Sequence, residues 1–145
     1  MVIEESVVIH ADRKKIWRVF THLGGWKEWN RTALNVSGES DRMEEGRRFS
    51  FSLHGFGVPV TVEPVIDYLT PPEELSWSGR MYGVSSRHEF LFREQDGAVL
   101  VTSRETFRGA TLLLAGPAFP ESTIRKLTAS LLGDLKGACE EIQVP

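Results

Sequence analysis

The feature that most restricts the fold is a change of residue period, made twice along the chain. Residues 12–30, DRKKIWRVFTHLGGWKEWN, carry Ile16, Trp17, Val19, Phe20 and Leu23 at helical spacing, a one-sided apolar stripe. From about residue 33 to 108 the pattern becomes that of strands and turns. Helical spacing returns in residues 120–143, PESTIRKLTASLLGDLKGACEEIQ. Its stripe is Ile124, Thr128 (or Leu127), Leu131, Leu135, Ala138 and Ile142. A short strand, VIEESVVIH, precedes the first helix. The order is strand, helix pair, about six antiparallel strands and a long C-terminal helix, which specifies an α+β domain. The apolar face of the sheet and the stripe of the last helix must bury each other. A sheet of this many strands twists and curls, and one wrapped around a single helix leaves room for a cavity between them.

Local signals refine this order. Asp12 is a helix N-cap and Gly24-Gly25 a stop. Trp26 and Trp29, at i and i+3, suggest a second short helical turn. In RFSFSLHGFGVPVTVE a two-residue turn at Gly55-Phe56 would pair Leu53 with Val58, Phe51 with Val60 and Phe49 with Val62, placing all six on one face. Pro71-Pro72 breaks the chain, and LSWSGRMY then alternates Leu75, Trp77, Gly79 and Met81. Gly133 and Gly137 weaken the last helix and leave room for a sheet to approach it closely.

At 145 residues one domain, 1–145, is the natural expectation. With 41% apolar and 26% charged residues the composition is that of a soluble globular protein. A net charge of −3 argues against a nucleic-acid binder, which needs a basic face, and against an electrostatic membrane anchor. Cys139 is the single cysteine, so no intrachain disulfide can form. The acidic opening MVIEESVVIH lacks the basic and apolar regions of a signal peptide, and ATLLLAG is too short to span a bilayer. A cytoplasmic protein without membrane insertion is expected.

The ordered motifs resemble a known superfamily. The opening, with its Ile16-Trp17 pair and the turn Trp26-Lys27-Glu28-Trp29-Asn30, is similar to that of the helix-grip ligand-binding proteins. These are the START, birch-pollen-allergen-like and polyketide cyclase/dehydrase group, often called SRPBCC. LSWSG at 75–79, HEFLF at 88–92 and ETFRG at 105–109 add to the likeness, which covers essentially the whole chain. The resemblance implies a curved antiparallel sheet wrapped around the C-terminal helix, with two short helices after the first strand. It also implies a deep apolar cavity. Members bind lipids, sterols, polyketides or quinones, and some are cyclases, dehydratases or hydrolases. Fold is therefore better specified than function.

One polar residue interrupts the apolar alternation. His88 heads the run His88, Phe90, Phe92. Asp96-Gly97 is a strong two-residue turn signal. Counting outward, Gln95 faces Ala98, Phe92 faces Val101, Phe90 faces Ser103, His88 faces Glu105 and Ser86 faces Phe107. His88 and Glu105 are then cross-strand neighbours with Cβ atoms roughly 4.5–5.5 Å apart. A preceding turn at Gly83-Val84 would place Trp77 opposite Phe90 and Gly79 opposite His88, leaving open space beside the imidazole. Three readings compete. The pair satisfies itself in a cavity wall; it anchors an otherwise apolar ligand; or His88 is a general acid or base, with Glu105 fixing its tautomer and raising its pKa.

Other features carry less. His10, His22 and His54 show no metal-ligand spacing with His88 or Cys139, so no metal is expected. Cys139 fits a core thiol better than a nucleophile. No G-x-S-x-G and no phosphate-cradling glycine loop occurs. Trp17, Trp26 and Trp29 could gate a cavity mouth or, more ordinarily, fill the core. The runs Arg13-Lys14-Lys15 and Arg47-Arg48 read as solvated faces. RGATLLLAGPAF, at 108–119, is open to three readings: a lid, a homodimer contact, or plain packing.

The leading expectation is a binder of a small hydrophobic ligand, with Phe49, Phe51, Trp77, Gly79, Phe90 and Phe107 lining the cavity and His88 and Glu105 as its polar feature. The runner-up is a cyclase or dehydratase in which His88 moves a proton, a reaction that needs no cofactor. A third class is an interaction module resembling the family branch that activates a heat-shock ATPase, which requires an exposed apolar patch.

Overall fold

A computed structural model of the chain describes residues 1–81 and 83–140. Strand β1 (Val2–Ile9) leads into α1 (Arg13–Thr21), a 3₁₀ turn (Leu23–Gly25) and α2 (Trp26–Trp29). Strands β2 (Leu34–Gly38), β3 (Phe49–Leu53), β4 (Val60–Val62), β5 (Val65–Thr70), β6 (Glu74–Met81), β7 (Val84–Gln95) and β8 (Ala98–Arg108) follow. The chain then forms α3 (Ala110–Ala115), a second 3₁₀ turn (Gly116–Ala118) and α4 (Glu121–Cys139). This is the expected α+β helix-grip architecture.

The strands divide into two antiparallel sheets, ordered β1-β8-β7-β6-β5 and β2-β3-β4. They meet where the start of β3 meets β5: Phe49 N donates to Pro64 O at 3.1 Å and Ile66 N to Arg47 O at 3.0 Å. A free edge strand invites foreign pairing, and β1 is an edge. Helix α4 lies along it. Lys136 Nζ donates to Val8 O at 2.6 Å, and Glu140 Oε2 accepts from His10 N at 2.7 Å.

The helix starts follow the sequence signals. Asp12 caps α1, its Oδ1 accepting from Lys14 N at 3.4 Å. Asn30 closes the turn after α2: Oδ1 accepts from Thr32 N and Ala33 N, both at 2.8 Å. Trp26 anchors the same turn from inside, its indole N–H donating to Phe20 O at 2.7 Å. Trp17, Phe20 and Trp26 are buried in the core.

The hairpin at Asp96-Gly97 forms with the expected register, from Gln95↔Ala98 out to Ser86↔Phe107. The other two hairpins slip. Phe51 pairs with Val62 and Leu53 with Val60. The loop there is therefore six residues, 54–59, and not two; Gly55 and Gly57 both take positive φ within it. Between β6 and β7, Met81 pairs with Val84, which puts Trp77 opposite His88 and Gly79 opposite Ser86. Gly83, φ +77°, is the second turn residue and not the first. Both slips move partners by two residues, so each side chain keeps its face.

The buried residues of α4 are Thr128, Leu131, Leu132, Leu135 and Cys139. Ala138 is half-buried, and Ile142 lies outside the described residues. Gly133 and Gly137 face outward, and a Cβ at either would meet nothing within 4 Å. They therefore serve no close packing against the sheet. Among the described residues no helix is long and apolar enough to cross a membrane.

Candidate functional site

One half of the concave sheet face is filled. Phe90 and Phe92 of β7 pack on Phe20 of α1, with ring centroids 4.7 Å and 5.9 Å apart. Trp17 meets Phe92 at 5.4 Å. Beyond Phe90 the aromatic plug ends, and a cavity of about 450 Å³ opens between the sheet and α4. Strands β3 and β4 supply Phe51, Leu53, Val60 and Val62 to its wall, β6 supplies Trp77, Gly79 and Met81, and α4 supplies Ile124, Leu127, Thr128 and Leu131. Phe119 and Pro120, just before α4, border it together with Phe56 and Val58 of the β3–β4 loop.

Six of the eight residues expected in the wall lie there: Phe51, Trp77, Gly79, His88, Glu105 and Phe107. Phe49 and Phe90 do not. Phe49 is buried behind the wall, 5.1 Å from the Trp77 ring, and Phe90 is fully buried among Phe20, Trp77 and His88. They share the face but sit under α1 and α2.

His88 is buried and its ring is held on three sides. It stacks on Phe90 at 4.2 Å with an interplanar angle of 23°, and meets Trp77 edge-on at 5.2 Å. The open space expected opposite it at Gly79 is thus occupied by Trp77, a consequence of the register slip. Nε2 lies 2.6 Å from the hydroxyl of the fully buried Ser103. Nδ1 lies 3.7 Å from Glu105 Oε2, close but beyond hydrogen-bonding distance. Ser86 Oγ donates to the same Oε2 at 3.0 Å. The raised pKa expected for His88 is not found: burial lowers it below its ordinary 6.5, and the nearby carboxylates of Glu105 and Glu89 pull it back more weakly. The imidazole is therefore neutral at neutral pH. A lone pair on Nδ1 would be repelled by the Glu105 carboxylate, so the ring proton sits on Nδ1, and Nε2 then accepts from Ser103 O–H.

Ser86 and Ser103 escaped attention in the sequence, although the register contained them. Ser103 faces Phe90, one step along from the His88–Glu105 pair on the same face. A short hydroxyl on a cavity face carries no signal until the diagonal contacts of the sheet are counted.

Cys139 is buried, and burial pushes its thiol pKa up to about 11, as suits a core thiol. Among the described residues no group of three His, Cys, Asp or Glu is placed to hold a metal ion.

The family model described as polyketide cyclase / dehydrase and lipid transport matches residues 1–140. The chain belongs to this family. Solved structures share its fold. The di-domain ARO/CYC BexL from the BE-7585A biosynthetic pathway superposes with a TM-score of 0.81 at 16% identity, over 98% of this chain and 50% of that one. The chain thus spans about half of that di-domain protein. Major latex-like protein 151 from Panax ginseng gives 0.80 at 11% identity, covering 97% and 98% of the two chains. TTHA0849 from Thermus thermophilus gives 0.78 at 14%, covering 97% and 100%. At these identities the likeness is one of fold. No curated protein matches the chain.

Proposed function

We propose that the protein binds a small hydrophobic molecule in the cavity between its sheet and α4. The observation that carries this reading is the cavity itself. About 450 Å³ falls within the range of small-molecule pockets, about 300–1,000 Å³, and apolar walls meeting a few convergent polar groups are what such pockets show. Lipids and aromatic or isoprenoid molecules fit the wall chemistry. Native mass spectrometry of the freshly purified protein should detect a co-purified small molecule. A neutral fluorescent probe such as N-phenyl-1-naphthylamine should bind and should be displaced by it. Filling the space by Gly79→Leu or Thr128→Phe should abolish probe binding. The Gly79 position tolerates a side chain, since a Cβ there meets only Pro64, at 3.7 Å. Undiminished probe binding in both folded variants would refute the reading.

A second reading, a cyclase or dehydratase in which His88 moves a proton, is favoured by the neutral imidazole at the cavity wall. It competes with the engagement of Nε2 by Ser103, which ties up the ring's other nitrogen. The two readings separate on the molecules recovered from wild type and His88→Asn. A carrier yields the same molecule from both. A dehydratase yields a product from wild type that is lighter by one water than what the variant retains. The interaction-module reading has the least support: among the described residues the exposed large apolar side chains are Met1, Val2 and Val8 on and beside β1 and Val58 on the β3–β4 loop.

A further inference from the structure

The polar end of the cavity is asymmetric in a way that selects one functional group. Glu105 Oε2 is engaged, accepting from Ser86 and facing His88 Nδ1. Its other oxygen, Oε1, makes no hydrogen bond among the described residues. Nor is it sealed in protein: among the described residues the unpartnered side-chain atoms that are fully enclosed are Arg13 Nε and Trp29 Nε1. Glu105 belongs to the cavity wall, so Oε1 opens on the cavity. His88 Nδ1 is in the same position: without a partner in hydrogen-bonding range, not enclosed, on a wall residue. The carboxylate at 3.7 Å fixes the proton on Nδ1, because a lone pair there would be repelled. An acceptor and a donor therefore stand side by side on a mostly apolar wall, whose other charged residues are Glu63 and Arg80. Among the described residues no Lys or Arg lies within ion-pairing distance of Glu105.

We infer, on the reading that this cavity holds the ligand, that Glu105 and His88 together recognise a hydroxyl group, an alcohol or phenol, on an otherwise apolar molecule. The ligand O–H donates to Glu105 Oε1, and its oxygen accepts from His88 Nδ1–H. A hydroxyl is the small group that does both at one atom. An ether accepts but cannot donate, and leaves the carboxylate desolvated and unpaired. A carboxylate ligand brings a second negative charge against Glu105 at low effective dielectric. The cavity should therefore reject free fatty acids and aromatic acids while accepting the matching alcohols and phenols.

Titration calorimetry of the full chain with 2-naphthol, 2-methoxynaphthalene and 2-naphthoate tests this. The naphthol is expected to bind at least about tenfold tighter than the ether, the ratio for losing one hydrogen bond to a charged group. The naphthoate should be weakest. Glu105→Gln, which keeps the shape and removes the charge, should shrink the naphthol preference and raise naphthoate affinity. Equal binding of naphthol and ether by wild type, or tightest binding of the naphthoate, overturns the inference, as does an unchanged order in Glu105→Gln. The wild-type ranking decides the matter by itself if that variant does not fold. Binding of the neutral probe without any hydroxyl preference defeats this inference alone. Failure of wild type to bind the probe and all three naphthalenes defeats it together with the proposed function.

Discussion

The two ends of β7 place the same sheet face in opposite circumstances. At Phe90 and Phe92 the face is closed by Phe20 and Trp17 of α1. At Ser86 and His88 it is open to the cavity. Element lengths account for the difference. Strand β7 has 12 residues, roughly 40 Å of chain at about 3.3 Å per residue. Helix α1 has 9 residues, roughly 13 Å at 1.5 Å per residue. It covers one end and cannot reach the other. Helix α4, with 19 residues and roughly 28 Å, spans both: Leu132 and Leu135 are packed in the core, while Ile124 and Thr128 face the void. The cavity is what remains of the sheet face after α1 has ended.

The largest effect should appear where this contrast is broken from the packed side. Phe90→Ala removes a ring enclosed by Phe20, Trp77 and His88 and should cost about 3–5 kcal/mol. Phe107→Ala removes a cavity-wall ring whose one aromatic neighbour among the described residues is Phe119, at 5.1 Å. That ring already lacks packing on its open side, so its loss should cost less than that of Phe90, near or below the lower end of the same range, about 3 kcal/mol. Urea unfolding of the two variants measures both. Equal losses would mean that the two ends of the sheet are packed alike.

A smaller effect concerns His88, at the boundary between the two ends. Its folded-state pKa is lowered below the ordinary 6.5 by burial. As pH falls through 6.5 the unfolded chain takes up a proton that the folded chain refuses, so the unfolded state is favoured. Stability is therefore full above about pH 6.5 and declines as pH falls from there toward the lower folded-state value. His88→Asn should flatten that part of the profile. Urea midpoints at pH steps from about 7.5 to about 5 check it, and parallel declines in variant and wild type would count against it.

What the sequence disclosed follows the same division. The Asp96-Gly97 turn is short and of one type, so the His88–Glu105 row could be counted residue by residue. The β3–β4 connection could not: Gly55 and Gly57 both bend the chain and Pro59 lacks an N–H, so the loop widens to six residues. Faces survived both register slips because a shift of two preserves alternation. That is why six of the eight expected lining residues were legible. Opposite partners did not survive, so Trp77 and not Gly79 stands against His88. Phe49 and Phe90 show the deeper limit. Alternation tells which face a side chain is on, but where along that face a short helix stops is a matter of tertiary packing.

The smallest expected effect lies on the side of α4 that belongs to neither end. Gly133 is exposed in the middle of the helix, and a Cβ there would meet nothing within 4 Å. Alanine should therefore bring only its backbone effect: a chain that loses less freedom on folding, worth about 0.5–1 kcal/mol. Gly133→Ala should raise the unfolding free energy by that amount, read as a higher urea midpoint at unchanged slope, and leave both binding of the neutral probe and the Phe90→Ala penalty unchanged, since the sites share no partners. If the alanine instead altered probe binding, the outer face of α4 would be coupled to the void beneath it. The cavity would then depend on the bending of α4 as well as on where α1 ends.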